Sequence, residues 1–211
     1  MWSAGRVQTR LSRSTSETSR RKGIDLARRA LEAGENDPRI LVNAANALAT
    51  FGDAMGTFGE DIGAMIGLVD RALALNPSYA RGWFVSGLLR VFAGQHDLAI
   101  EHVETSLRLS PRERTGSPLS LMGLAYLFKH QFEEAAAKLL LAIQDHPGFP
   151  SSYRHLAACY AHMGRLDDAR AIVTRLRTIT PEVVPRNLPF RKSEDRELFL
   201  SGLRLAAGEE T

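Results

Sequence analysis

The sequence contains one cysteine, Cys159, so no internal disulfide can form and a stapled secreted scaffold is excluded. A lone thiol fits a reducing compartment, and the cytoplasm is the expected location. No apolar run approaches the roughly 18 residues that a membrane span needs, so membrane partners are not expected. The motifs that announce chemistry are missing as well. No Gly-x-Ser-x-Gly elbow is present. The glycine-rich stretch Gly52 to Gly59 has neither the Lys-Ser/Thr of a P-loop nor a strand before it. It reads as an inter-helix loop. A catalytic role and a cofactor are therefore not expected.

Basic charge is scarce outside one end. The formal net charge is +3, but residues 1–22 alone hold Arg6, Arg10, Arg13, Arg20, Arg21 and Lys22 against Glu17. The remaining body is slightly negative, which argues against nucleic acid. The basic segment matches the composition of a mitochondrial transit peptide but lacks a sustained apolar helical face. Residues 1–22 are read as a disordered or frayed start.

Proline supplies the organisation. Pro77, Pro111, Pro147 and Pro181 lie 34, 36 and 34 residues apart, and each closes a helical segment. A period near 34 residues denotes stacked helical hairpins, whose apolar faces are buried only against neighbouring units. Within each period the pattern recurs. Residues 80–111 show Trp83, Gly87 and Ala93, a turn at Gly94 to Asp97, then Ala99, Val103 and Ser106. Residues 114–147 show Leu119, Gly123 and Tyr126, a turn at His130 to Glu133, then Ala135, Leu139 and Ala142. Residues 150–181 show Tyr153, Ala157 and Tyr160, a turn at Gly164 to Asp167, then Ala169, Val173 and Leu176. Two extra residues in the third period are assigned to the loop Arg112 to Ser117, with Pro118 opening the next helix.

These positions resemble the tetratricopeptide consensus: Trp83, Gly87, Ala99 and Pro111, then Tyr126, Ala135 and Pro147, then Tyr160, Ala169 and Pro181. The resemblance spans about residues 39–181. It implies an all-α, right-handed superhelix (an α-solenoid) of antiparallel helix pairs. The expected divisions are an orphan helix over 23–34, repeats over 39–77, 80–111, 114–147 and 150–181, and a linker with a capping helix over 182–211. The first repeat, 39 residues from Pro38 to Pro77, reads as carrying a five-residue insertion over the 34-residue period. The orphan helix carries Ile24, Leu26, Ala27, Ala30 and Leu31 on one stripe. That stripe predicts self-association or docking of another domain. Ser193 is the expected N-cap of the last helix, with Phe199, Leu200 and Leu203 as its apolar face.

The resemblance also implies that the first helix of each unit lines a partner-binding groove. Those positions are Val42, Ala45, Asn46 and Ala49; Arg81, Phe84, Val85 and Leu88; Ser117, Ser120, Leu121, Leu124 and Phe128; and Ser151, Arg154, His155, Ala158 and His162. The family's Lys and Asn clamp for a terminal carboxylate is absent. The groove suits an apolar or amphipathic segment, with Arg81 and Arg154 as anchors for acidic groups. Phe84, Leu88, Leu124 and Phe128 could equally be core. His155, Cys159 and His162 share a helix face, but a structural zinc site wants four ligands, so no metal is expected. Residues 70–111 and the tail VVPRNLPFRKSEDRELFLSGLRLAAG are similar to the repeat region that follows the catalytic domain of alphaproteobacterial class III adenylate or guanylate cyclases. That similarity implies a regulatory or scaffolding region without the catalytic domain.

Overall fold

The computed structural model describes residues 4–34, 36–51, 61–111, 118–185 and 187–209. Ten helices and no strand occur among them. The loops expected at Gly52 to Gly59 and at Arg112 to Ser117, and the groove position Ser117, lie outside the described residues. The chain divides into two compact units, Met1–Pro77 and Ser78–Thr211.

The first unit contains α1 (Ala4–Ala33), α2 (Pro38–Phe51) and α3 (Ile62–Leu75), with α2 packed against both neighbours. Helix α1 is 30 residues long, whereas a helix over 23–34 after a frayed start is the expectation from sequence. No proline interrupts residues 4–33, and Arg, Ala and Leu are strong helix formers. Ile24 and Ala27 on α1 are buried, while Leu26 is 52% exposed. Val42 and Ala45 of α2 are fully buried and Asn46 is half-buried.

The second unit contains α4 (Ala80–Ala93), α5 (His96–Leu109), α6 (Pro118–Phe128), α7 (Phe132–Asp145), α8 (Pro150–His162), α9 (Leu166–Ile179) and α10 (Ser193–Ala207). The pairs α4·α5, α6·α7 and α8·α9 are the hairpins, and α6 packs against α4, α5 and α8 as well. Most of α6 is therefore buried, including Leu121, Met122, Leu124, Ala125 and Leu127.

Two local devices repeat. Helices α3, α5, α7 and α9 each stop two residues before the periodic proline. A proline ring disfavours helical conformation in the residue before it. Asn76, Ser110, His146 and Thr180 accordingly have φ between −149 and −136. Each cap N–H still bonds back to a carbonyl four residues earlier, at Ala72, Ser106, Ala142 and Leu176. The hairpin turns are left-handed caps at Gly94 (φ 78), His130 (φ 57) and Gly164 (φ 74). In each, the next N–H, of Gln95, Gln131 or Arg165, reaches back to Arg90, Tyr126 or Tyr160 O at 2.8–3.0 Å, the Schellman pattern. His130 holds without glycine a conformation that costs an L-residue about 1–2 kcal/mol.

Close approach within hairpins depends on glycine. A Cβ on Gly87 would lie 2.6 Å from Val103 Cγ2, and one on Gly123 would lie 2.5 Å from Leu139 Cγ. The carboxylates Asp97, Glu133, Glu134, Asp167 and Asp168 occupy first turns of second helices, where the helix dipole favours them.

Helix α10 packs mainly on α8, then on α9 and α6. Phe199 and Leu203 are buried and Leu200 is half-buried. Gly202 permits the approach, since a Cβ there would lie 2.9 Å from Ala158 O. Lys192, not Ser193, is the N-cap: Lys192 is extended (φ −74, ψ 130), its side chain makes no capping bond, and Ser193 is already helical.

Candidate functional site

A pocket of about 350 Å³ opens in the second unit where the first helices of the three hairpins converge. Helix α4 contributes Phe84, Leu88 and Phe92, α6 contributes Ser120, Leu121 and Leu124, and α8 contributes Ser151, Arg154 and His155. These recur at helical spacing, so each helix turns one stripe toward the same space. Phe149 stands at the edge, 39% exposed. The remaining wall is the chain's own segment between α9 and α10, through Pro185, Leu188, Pro189 and Phe190.

That segment is a strap fastened at both ends. Arg154 Nε donates to Val183 O at 3.0 Å and Nη2 to Glu182 O at 2.6 Å. At the other end Arg191 N donates to Phe92 O at 2.8 Å, and Arg196 Nη2 donates to Phe190 O at 2.8 Å. Between them the Phe190 ring is 3% exposed. It lies 4.9 Å from Phe128, 5.6 Å from Phe199 and 6.2 Å from Phe92, centroid to centroid. Tilted and edge-on aromatic pairs at these distances contribute about 0.5–1.5 kcal/mol each beyond burial. His96 Nε2, at the start of α5, faces Asp195 Oδ2 of α10 across 3.0 Å.

The electrostatics of the pocket are simple. His155 Nδ1 and Ser120 Oγ are 3.2 Å apart and share a hydrogen bond. Burial pushes the His155 pKa down to about 3, the neighbouring Arg154 charge adding to the effect and Ser120 opposing it. His155 is therefore neutral at pH 7. Burial also lowers the Arg154 pKa, with the Glu182 charge opposing, but a guanidinium stays protonated in proteins.

The sequence-derived groove positions separate into three groups. Phe84, Leu88, Ser120, Leu121, Leu124, Ser151, Arg154 and His155 meet at the pocket. Val85 and Ala158 are fully buried core, and Phe128 packs under the strap against Phe190. Asn46, Arg81 and His162 are not lining residues, and His162 Nε2 donates to Leu198 O at 2.7 Å. The three side chains weighed as zinc ligands go to different partners. His155 pairs with Ser120, His162 with Leu198 O, and Cys159 Sγ contacts Phe132 O at 3.0 Å. No metal-ligating group of three occurs among the described residues. Burial raises the Cys159 pKa to about 12, with the Glu133 charge adding to it, so the thiolate is not available for chemistry.

Sequence reasoning missed the strap, which reads as a linker. The available signal was its Leu188-Pro189-Phe190 run, since large apolar residues in a connecting segment need somewhere to be buried.

No helix among the described residues is long and apolar enough to cross a membrane. No curated protein matches the chain. The tetratricopeptide repeat family matches residues 126–186. Among solved structures, TTC0263, a thermophilic tetratricopeptide protein of Thermus thermophilus, is 23% identical with a TM-score of 0.62, covering 85% of this chain and 88% of that one. Residues 41 to the end of MamA from Desulfovibrio magneticus RS-1 are 21% identical with a TM-score of 0.60, covering 82% and 94%. YrrB, described as a tetratricopeptide protein with an unusual peptide-binding site, is 20% identical with a TM-score of 0.54, covering 86% and 91%. Helical hairpins of 34-residue period, glycine at the helix crossings and these likenesses agree: the chain has the all-α fold of stacked helical hairpins found in tetratricopeptide-repeat proteins, and its residues 126–186 match that family.

Proposed function

We propose that the chain is a non-catalytic interaction module that binds an apolar segment of a partner protein on the first-helix face of its second unit. The observation that carries this reading is the pocket itself. Apolar side chains of two successive first helices, Phe84 and Leu88 of α4 and Leu121 and Leu124 of α6, together with Phe149 just before α8, face one cavity of about 350 Å³. Its size and apolar lining suit an inserted anchor side chain. The peptide-binding site named for YrrB belongs to that protein, and the likeness of fold extends the idea here. Val85 and Phe128 are buried in the core of the second unit, and His162 is already taken up by Leu198 O.

The test is partner capture followed by measured affinity for the chain and for Phe84→Ala. Phe84 is half-buried, so the variant should keep its helical spectrum while affinity falls at least tenfold, the loss typical of a central anchor contact. Unchanged affinity for every captured partner would refute the reading. Resemblance of the tail to class III cyclase proteins favours a second reading, a regulatory region acting on a catalytic domain of the same polypeptide. Here that tail forms the strap and α10, and coding sequence upstream of Met1 decides between the two. Self-association through α1 is a further proposal, resting on the exposed Leu26; sedimentation showing a strict monomer at high concentration would remove it.

A further inference from the structure

The described lining of the pocket is mostly apolar, with one cation. Among the described residues lining it, Arg154 alone is charged at pH 7, His155 being neutral, and none is aspartate or glutamate. Arg154 spends Nε and one Nη on the main-chain carbonyls of Val183 and Glu182. Those two bonds aim the guanidinium without neutralising it. The Glu182 carboxylate acts on it electrostatically without forming an ion pair. A partly buried cation beside an apolar cavity, its remaining donors uncommitted, favours a ligand that brings a carboxylate.

The strap limits the size of that ligand. Removing it would break the Arg191–Phe92 and Arg154–Val183 bonds and expose Phe190. A cavity of about 350 Å³ also lies near the lower end of the range for compact ligands, about 300–1,000 Å³. We propose that the pocket takes one compact anchor from a partner protein, a bulky apolar side chain with a carboxylate next to it, and that the strap stays in place as its outer wall. This rests on the groove reading above and specifies its partner as an acidic, apolar segment that enters beside the strap.

The full chain is titrated with N-acetyl-phenylalanine, which carries a ring and a carboxylate, and with N-acetyl-phenylalaninamide, which lacks the charge, each followed by NMR. The acid should bind about fivefold tighter than the amide, the range for a partly solvated charge pair, and the preference should vanish in Arg154→Gln. Because Arg154 also fastens the strap, Leu88→Trp is the second variant; filling the pocket should abolish binding of both probes while leaving Arg154 intact. Exchange of the Arg191 amide, bonded to Phe92 O, should be as slow or slower when the acid is bound. Equal affinities for acid and amide, no saturable shift from the acid at about 20 mM, or faster Arg191 exchange would overturn the proposal. If that happens while Phe84→Ala still weakens partner capture, the groove reading stands and only the acidic anchor falls.

Discussion

Phe190→Ala tests whether the strap is part of the folded unit. The ring is 3% exposed and sits among Phe92, Phe128 and Phe199. Truncating a buried phenylalanine to alanine costs about 3–5 kcal/mol. Here the space released joins an existing pocket, so neighbouring side chains and water relax into it and the lower end applies, about 3 kcal/mol. In a unit of this size each kcal/mol lowers Tm by about 3–4 °C, so the midpoint should fall by about 10 °C. Urea unfolding followed by circular dichroism gives the free energy. Hydrogen exchange at the Arg191 amide, which donates to Phe92 O at 2.8 Å, reports the strap locally, and its protection should fall first. A loss below about 1 kcal/mol with unchanged Arg191 exchange would refute the view that Phe190 fastens the C-terminal arm.

Three further outcomes follow from the same packing. Gly87→Ala places a methyl 2.6 Å from Val103 Cγ2 and 3.0 Å from Ala99 O; since the carbonyl cannot retreat, it should destabilise the second unit by about 1–3 kcal/mol in a denaturant titration. His155 has a folded pKa near 3 because burial disfavours its charged form, below its ordinary value of 6.5. The unfolded chain therefore binds the extra proton between those values, and stability should fall as pH drops from about 6.5 toward 3, by up to about 1.4 kcal/mol per pH unit from this group; His155→Gln should flatten the acid limb. Cys159 is fully buried with its pKa raised to about 12, so an alkylating reagent should label it at the unfolding rate, and labelling within seconds of mixing with native protein would contradict its placement.

Local chemistry made much of the fold legible. A proline two residues beyond a helix acts on the residue beside it, so Pro77, Pro111, Pro147 and Pro181 marked the ends of α3, α5, α7 and α9 wherever those helices packed. Gly94 and Gly164 marked their turns for the same reason, and Ala99, Ala135 and Ala169 the inner faces. Eight of the groove positions read from sequence also meet at the pocket, because helical spacing alone places Phe84 and Leu88, or Ser120 and Leu124, on one stripe.

Whether such a stripe is groove, core or contact depends on what is laid against it, and that is a long-range matter. Phe128 and Leu124 sit one turn apart on α6, yet Leu124 lines the cavity and Phe128 lies under Phe190. His162 and His155 share a face of α8, but α10 covers His162 through Leu198 O. Sequence by itself determined the hairpins, their period, their turns and the candidate stripes, since these depend on neighbours within a few residues. Tertiary structure alone decided that the C-terminal arm folds back as a strap and turns those stripes into a bounded pocket with Arg154 at its edge, because contacts between residues 92 and 191 or 154 and 183 leave no periodic trace in the chain.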